Sequence, residues 1–370
     1  MSLFKRRRVN EPTFPCACPY CGETVRYFAF LLPASEVRKE KLTGNLESGD
    51  LIVDQFNCPK EFRLEYLRER EGSNLPTAAV LKSDGRSIRL PKRVCPKCHK
   101  KLYSDFGMLR QKSISIVGFR GSGKTTYLCA LYGQLMRNKA FTFFGTNTEG
   151  LAANLEILEN NSKVLHDQSL GRETSEDALK WVATSEVSDP YIFSNTGNMF
   201  YLRDIPGEYF INENADRLSL VGNYIRSSDA MIFIIDFDHI DEAIEVLSTL
   251  YKSFGRLSVE TAFVITKKDL IQSTMDIPAQ SSVWKVCDYT DGRPINPDEI
   301  KKKSKAICDI IVQNRCERLL SCIDEYMRGC KGTWFISGVF DREGNFNTEG
   351  LEEPFLWLLG KLGMYRIEGG

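Results

Sequence analysis

A glycine-rich segment that contains one lysine and two threonines carries the most specific chemical pattern in the chain. Gly118, Gly123, Lys124 and Thr125 have the spacing G-x-x-x-x-G-K-[ST], between a short apolar run and a helical apolar pattern. Glycines let backbone N–H groups surround an anion, and the following helix presents its positive end. The pattern predicts a triphosphate site, with Lys124 at the terminal phosphates and the Thr125 hydroxyl on Mg²⁺. The expected phosphate-binding loop comprises Gly118, Arg120, Gly121, Ser122, Gly123, Lys124, Thr125 and Thr126.

A second pattern has an acid and a glycine at the end of an apolar strand. Asp204 follows the run 199–203, Gly207 comes three residues later, and Glu208 is next. A carboxylate at this strand end is expected to reach Mg²⁺, usually through a water. The Gly207 N–H could approach a terminal phosphate because glycine has no Cβ, and loss of that contact would relax the loop. Asp-x-Pro-Gly alone is common turn chemistry, so its place after the phosphate loop decides this interpretation.

Thr266, Lys267 and Asp269 form a T-K-x-D pattern directly after the apolar strand 260–265. An Asp269 carboxylate can accept hydrogen bonds from the ring N–H and the exocyclic amine of guanine, with the Lys267 stem along the base. Adenine offers neither donor, and a buried charged acceptor without a partner costs on the order of 1–3 kcal/mol or more. Such sites discriminate strongly. The pattern predicts guanine recognition, and the alternative is an ordinary polar turn.

These motifs together resemble the P-loop GTPases of the translation-factor and Ras-related class over about residues 112–365. The resemblance implies GTP and Mg²⁺ as ligands, and it makes Ser337-Gly338 the last guanine-contacting loop. It also implies a threonine that closes over Mg²⁺ and the γ-phosphate. Three threonines are candidates, the first of them preferred: Thr174, Thr184 and Thr148.

Two residues depart from the Ras-like pattern at catalytic positions. Glu208 stands where those enzymes have a water-orienting Gln, and a carboxylate there would orient water but repel the γ-phosphate. Arg120 could stabilise transition-state charge in cis as an arginine finger does, or pair with a neighbouring residue or a partner. We expect slow intrinsic hydrolysis that rises on self-association or partner binding. The expected catalytic set is Lys124, Arg120, Thr174, Gly207 and Glu208.

Two C-P-x-C turns near the N-terminus predict a metal site. Cys18-Pro-Tyr-Cys21 and Cys95-Pro-Lys-Cys98 each point two thiolates at one ion, and four thiolates make a tetrahedral zinc site. Their separation exceeds that of an ordinary zinc ribbon, so an insertion is expected between them. Free or disulfide-bonded thiols are the alternative, and a second zinc stays open. The further candidate ligands are Cys16, Cys58 and His99.

The cysteine turns and the phosphate loop in series resemble the bacterial double-GTPase proteins, which are TRAFAC-clade GTPases with an N-terminal zinc ribbon. The resemblance rests on Arg93-Val-Cys-Pro-Lys-Cys-His99, the segment 102–107 and the segment 116–127. It implies a zinc ribbon that docks a partner, and a second, related GTPase as that partner. Self-association into a homodimer is a further candidate. It also implies a role in conflict or antiviral gene clusters.

The amino-acid composition limits the classes of function that fit the chain. The chain has 370 residues, 42% hydrophobic residues and zero formal charge, so bulk electrostatics would not drive nucleic-acid binding. Local basic patches leave nucleic-acid contact open. No apolar run reaches the ~20 residues of a spanning helix, and no apolar signal region follows the basic start. We expect a cytoplasmic protein without a membrane span. The basic patches are Lys5–Arg8, Lys97–Lys101 and Lys301–Lys305.

The strands and helices that we expect to position these residues indicate an α/β fold. We expect a mostly parallel, doubly wound P-loop GTPase sheet over 109–370 and a small zinc-ribbon-like domain over 1–108. A helical insertion is expected around 270–330, with one long helix that starts at Asn296-Pro297 and runs to about Arg328. The expected strands are 25–32, 50–56, 113–117, 191–195, 199–203, 230–236, 260–265 and 333–337.

Three function classes remain. The first is a GTP-hydrolysing switch whose zinc ribbon docks a partner. The second is a P-loop ATPase or nucleotide kinase, which T-K-x-D argues against. The third is a nucleic-acid-binding zinc-ribbon protein with a regulatory nucleotide site.

Overall fold

A computed structural model gives the fold. It describes residues 16–43, 49–67, 76, 78–102, 106–137, 141–144, 160, 163–164, 191–195, 198–210, 215–268, 271, 277, 281–284, 294–314, 316–327, 332–339, 350–366 and 368. The strands are β1 Ala29–Leu32, β2 Leu51–Val53, β3 Arg63–Leu67, β4 Ala78–Ser83, β5 Arg86–Leu90, β6 Arg93–Val94, β7 Arg110–Val117, β8 Thr142–Phe144, β9 Tyr191–Asn195, β10 Asn198–Asp204, β11 Ala230–Asp236, β12 Glu260–Thr266 and β13 Thr333–Ile336. The helices are α1 Ala34–Lys39, α2 Lys124–Arg137, α3 Ala215–Ser227, α4 Ile240–Phe254, α5 Pro297–Gln313, α6 Glu317–Tyr326 and α7 Glu353–Lys361.

The strand that leads into the phosphate-binding loop lies in the middle of a seven-stranded sheet. The strand order is β13-β12-β11-β7-β10-β9-β8. β11 pairs in parallel with both β7 and β12, and β12 pairs in parallel with β13. Parallel strands end at the same edge of a sheet, and ligands of open α/β sheets bind at that edge. The predicted α/β fold of a P-loop GTPase is confirmed.

Side chains that alternate between the two faces of the sheet divide the interior into two apolar clusters. Ile232 and Ile234 of β11 belong to one cluster, together with residues of α2 and α7. Met231, Phe233 and Ile235 belong to the other, together with residues of α3, α4, α5 and α6. Successive strand side chains point to opposite faces of a sheet, so helices cover both faces. Every residue of β11 is buried, as expected for a central parallel strand.

The predicted long helix after Asn296 is two helices. The start is as predicted, because Asn296 Oδ1 accepts hydrogen bonds from the backbone N–H groups of Asp298 and Glu299, and Pro297 holds the first position. The end is earlier than predicted. The Asn314 side-chain amide donates to the Ile310 carbonyl at 2.9 Å, so a side chain satisfies a carbonyl of the last turn. α6 then begins at Glu317 with its own buried face.

A strand that we did not predict, β8, forms the far edge of the large sheet and pairs antiparallel with β9. Three residues are too few to give a clear alternating pattern. The turn predicted between β9 and β10 includes residues 196–197, which lie outside the described part of the chain.

The chain divides into two compact units, and the first consists of Met1–Gln111 with two short later segments. This unit contains two three-stranded sheets, β2-β1-β6 and β3-β4-β5. The strands predicted at 25–32 and 50–56 are present as the shorter β1 and β2. In β4–β5 the turn contains Gly85 with φ +80°, which favours glycine in a tight turn.

None of the described helices combines the length and the apolar character that a membrane crossing needs.

Candidate nucleotide site and cysteine cluster

The loop between β7 and α2 has backbone geometry that only glycine accommodates easily. Gly121 and Gly123 have φ of +84° and +89°, a region that other residues rarely adopt. A Cβ at Gly118 would lie 2.6 Å from the Ile234 carbonyl oxygen, so a side chain there would collide with the central strand. The Ser122 hydroxyl is buried and has no hydrogen-bond partner within the described part of the chain. The loop is therefore held tightly against the sheet edge.

Lys124 lies at the start of α2, and its side chain is folded over the loop. It is 7% exposed, and its Nζ donates to the Gly118 and Phe119 carbonyls at 3.0 and 2.6 Å. Burial lowers the pKa of Lys124, and the nearby carboxylates of Asp204 and Glu208 oppose that shift. The two carbonyls therefore hold the ammonium group at the loop, where an anion would meet it.

Asp204 ends β10 and meets Thr125 at the loop. Burial raises the pKa of Asp204, while the Lys124 charge and a hydrogen bond with the Thr125 side chain lower it. Among the described residues, Asp204 Oδ1 is buried without a hydrogen-bond partner. An unpaired carboxylate oxygen beside a hydroxyl is the hard-oxygen donor set that Mg²⁺ prefers. Thr125 and Asp204 therefore fit Mg²⁺.

Gly207 packs directly against the phosphate-binding loop. A Cβ at this position would lie 2.4 Å from the Arg120 backbone nitrogen and 2.5 Å from the Phe119 carbonyl carbon. Contacts that short do not occur in proteins, so only glycine can hold the turn in this position. The D-x-P-G segment and the phosphate-binding loop are thus adjacent, as the sequence pattern requires.

The residue after Gly207 pairs with a residue inside the loop. Glu208 Oε1 lies 3.5 Å from Arg120 Nε, and the two side chains are 38% and 72% exposed. The sequence left two alternatives for Arg120, an arginine finger or a pair with a neighbouring residue or partner. In the structure Arg120 pairs with a neighbouring residue, Glu208. An exposed pair of this kind contributes at most about 1 kcal/mol, so a stronger anion could displace Glu208 from the guanidinium.

Thr266 connects the T-K-x-D segment to the loop. Its hydroxyl donates to the Ser122 carbonyl at 2.8 Å and lies 3.2 Å from the Ile235 carbonyl oxygen. Its side chain also lies close to Gly123, where a Cβ would be 3.7 Å from Thr266 Oγ1. We predicted contact with the nucleotide for Thr266, and in the structure its hydroxyl also holds the phosphate-binding loop.

Lys267 has φ +58°, which is unusual for a residue other than glycine. Its Nζ is 2.5 Å from Asp236 Oδ2, and Asp236 is buried at the end of β11. Sequence reasoning missed this ion pair, although both residues follow adjacent strands. The ion pair depends on the register of the sheet, in which Asp236 and Thr266 are partners in the parallel pair of β11 and β12.

The remaining predicted nucleotide-site residues divide into two groups. Ser337 and Gly338 follow β13 and are buried, and the Ser337 backbone N–H donates to the Ile265 carbonyl at 2.9 Å. This contact brings the Ser337 backbone to the end of β12, just before Thr266. Thr126 lies in the first turn of α2. The predictions for Asp269, Thr174, Thr148 and Thr184 fall outside the described residues.

Four cysteines come together in the first unit. The Sγ atoms of Cys18, Cys21, Cys95 and Cys98 all lie within 4.8 Å of one another. The distances are 3.7 Å for Cys18–Cys98 and 3.9 Å for Cys21–Cys95. A tetrahedral zinc with bonds of about 2.3 Å would place its sulfurs about 3.8 Å apart. The cluster therefore fits zinc.

The two cysteine turns have the same local structure. The N–H groups of Tyr20 and Lys97 each donate to the sulfur two residues earlier at 3.4 Å. The N–H groups of Gly22 and His99 then close each turn on the carbonyls of Cys18 and Cys95. Such N–H···S contacts stabilise thiolate ligands and orient them.

The other candidate ligands do not join this cluster. Cys16 is buried, and burial raises the pKa of its thiol to about 12. The Cys58 sulfur donates to the Phe62 carbonyl at 3.4 Å. His99 lies in the second turn with φ +60°. In the described residues, the metal-ligand cluster consists of the four predicted cysteines.

A protein family matches one part of the nucleotide-site unit. Residues 112–285 match the family described as DO-GTPase2, Double-GTPase 2. This part of the chain is a double-GTPase P-loop GTPase domain. The resemblance expected from the sequence is thereby confirmed for the double-GTPase domain, and the matched residues include the phosphate-binding loop, D-x-P-G and T-K-x-D.

Two solved structures resemble the chain at low identity. One is the cytosolic domain of the T. maritima FeoB iron transporter in a GDP form, with 11% identity and a TM-score of 0.31. The comparison covers 68% of this chain and 63% of that one, so the chain spans less than two thirds of that relative. The other is the G domain of T. maritima FeoB, with 12% identity, a TM-score of 0.30, and coverage of 68% and 99%. No curated protein matches the sequence.

Proposed function

We propose that the chain is a GTP-hydrolysing molecular switch. The observation that carries the proposal is the hydrogen bond from the Thr266 hydroxyl to the Ser122 carbonyl. It joins the segment expected to recognise guanine to the segment expected to hold phosphates. A nucleotide bound at the loop would therefore have its base beside Lys267, and Asp269 follows two positions later in the sequence. The double-GTPase family match supports the same ligand.

The residues at the loop have separate roles in this proposal. Lys124 and the loop N–H groups bind the phosphates, and Thr125 and Asp204 hold Mg²⁺. When bound, Mg²⁺ neutralises charge that develops on the phosphate oxygens. Asp269 accepts hydrogen bonds from guanine, with Lys267 and Ser337-Gly338 beside the base. Thr174 is the proposed switch threonine.

Gly207 is the proposed sensor of the γ-phosphate. Its tight packing against the Arg120 nitrogen leaves no room for a side chain. A terminal phosphate at Lys124 would have to share this space with the D-x-P-G turn, so binding and loss of the phosphate would move the turn. Such order–disorder changes are how GTPase switch loops report the nucleotide state.

The Arg120–Glu208 pair supports slow intrinsic hydrolysis. While Arg120 pairs with Glu208, its charge is not directed at a phosphate, and Glu208 adds negative charge near the site. Association with a partner could separate the pair and direct Arg120 to the γ-phosphate, since exposed ion pairs are weak. A second copy of this chain or a second GTPase, as the family resemblance implies, is the proposed partner.

The cysteine cluster is the proposed structural zinc site of the first unit, and this unit is the proposed docking module. Four thiolates around one ion leave no open position for catalysis. The family resemblance adds a bacterial conflict or antiviral system as the proposed setting.

An exchange of the base-recognising acid tests the proposed function. Asp269→Asn should lose hydrolysis of GTP and gain hydrolysis of XTP, because an amide can donate to the second carbonyl of xanthine. Asp238→Asn, an exposed acid after β11, is the matched control and should keep GTP as substrate. If Asp269→Asn kept its GTP activity, or if the wild-type chain hydrolysed ATP equally well, the proposed function would be wrong.

A further inference from the structure

Asp236 is a buried acid whose charge none of the nucleotide-binding motifs requires. It lies at the end of β11 and is 1% exposed. Its carboxylate pairs with Lys267 Nζ at 2.5 Å and with His239 Nδ1 at 2.9 Å, and it accepts a hydrogen bond from the Asp238 backbone at 3.2 Å. A buried carboxylate is stable only when such partners compensate its lost hydration. The carboxylate therefore fixes the position of the groups that surround it.

The residue that Asp236 holds most closely has a constrained backbone. Lys267 has a left-handed φ of +58°, and the Ile271 N–H donates to its carbonyl at 3.1 Å. A left-handed lysine persists only where surrounding contacts over-determine it. The ion pair to Asp236 is one such contact, and the Thr266 hydrogen bonds immediately before it are another. Together they hold the backbone of Lys267 in place.

The same acid also reaches the phosphate-binding loop through a histidine. The His239 ring lies 5.6 Å from the Phe119 ring, centroid to centroid. Phe119 is a loop residue whose carbonyl accepts from Lys124. Asp236 thus pairs directly with the T-K-x-D segment, whereas in the described part of the chain it meets the phosphate-binding loop only through a ring contact of its histidine partner.

We infer that Asp236 is a positioning residue for guanine recognition, which it supports by holding Lys267 in its left-handed conformation beside the base. The inference rests on the proposed function, because it assumes that guanine lies at the T-K-x-D segment. It predicts that Asp236 affects binding of the base and leaves binding of the phosphates unaffected. A structural role alone would weaken both.

The test compares a complete nucleotide with a ligand that has no base. Binding of GTPγS, ATPγS and inorganic tripolyphosphate, each with Mg²⁺, is measured by calorimetry on the full chain and on Asp236→Asn. We expect GTPγS affinity to fall by about tenfold or more, as for loss of a charged hydrogen bond. Tripolyphosphate affinity should stay within about twofold, because the change removes no group that contacts a phosphate. Asp238→Asn is the matched control and should behave like the wild type.

A second variant keeps the test decisive if Asp236→Asn folds poorly. Lys267→Met removes the other partner of the pair and should produce the same selective loss. In the double variant the two losses should not add, because both remove one interaction. Suppose that the wild type prefers GTPγS to ATPγS while the variants bind GTPγS with normal affinity, or lose as much affinity for tripolyphosphate as for GTPγS. Either result would overturn the inference and leave the proposed function intact. A wild type that binds GTPγS and ATPγS equally would overturn the proposed function, and the inference with it.

Discussion

The Thr266 hydroxyl donates a hydrogen bond of 2.8 Å to the carbonyl of Ser122, so a residue of the T-K-x-D segment holds the phosphate-binding loop. Thr266→Val keeps the shape of the side chain but removes the donor. One hydrogen bond contributes about 1 kcal/mol, so GTPγS affinity should fall about fivefold. Thr266→Ser retains the hydroxyl and should bind GTPγS like the wild type. Equal affinities for the valine and serine variants in calorimetry would show that this bond does not support the loop.

The Arg120–Glu208 pair predicts the direction of a change in catalysis. Glu208→Gln removes the partner charge and leaves an amide that can orient water, so the hydrolysis rate per molecule should rise by on the order of tenfold. Arg120→Ala in the same background should abolish the gain. The measurement is phosphate release under single-turnover conditions. A slower Glu208→Gln variant would mean that the carboxylate itself serves catalysis.

The cysteine cluster predicts one tightly bound zinc per chain. Cys95→Ser removes a ligand, so the zinc content should fall from about one equivalent to nearly none, and the first unit should lose stability with it. Cys58→Ser is the control, because the Cys58 thiol bonds to the Phe62 carbonyl and lies outside the cluster. Elemental analysis after dialysis and thermal unfolding measure the two effects. Normal zinc content in Cys95→Ser would exclude the four-cysteine site.

A buried ion pair predicts a large loss of stability in the second compact unit. Lys303 of α5 pairs with Glu353 of α7 at 2.5 Å, with side chains only 6% and 1% exposed. Lys303→Met takes the cation away from a buried carboxylate, which should lower the free energy of unfolding by roughly 3–5 kcal/mol. Lys301→Met on the same helix breaks only an exposed pair with Asp298, and should cost less than about 1 kcal/mol. Similar urea midpoints for the two variants would contradict this difference.

Local sequence patterns were sufficient to predict the strands at the centre of the large sheet. Ala230–Asp236 is a short apolar run between polar segments, and a strand buried on both faces needs such a run. The phosphate-binding loop was equally clear, because glycines at the required spacing separate a strand from a helix. The start of α5 was predicted correctly, because Asn296 and Pro297 determine it locally.

Other features depend on contacts between distant segments. The ion pair of Asp236 and Lys267 requires the register of two parallel strands, which periodicity does not give. The hydrogen bond from Thr266 to the phosphate-binding loop was missed for the same reason, because its acceptor lies 144 positions away. The break after Gln313 was missed because apolar spacing continues across it, while the Asn314 side chain caps the last turn of α5.

The central claim is that the site selects guanine, and calorimetric titration of the zinc-loaded full chain with GTPγS and with ATPγS tests it most directly, each with Mg²⁺. We predict tight binding of GTPγS and negligible binding of ATPγS. Equal binding of the two nucleotides, or binding of ATPγS alone, would contradict guanine recognition by the Thr266–Asp269 segment.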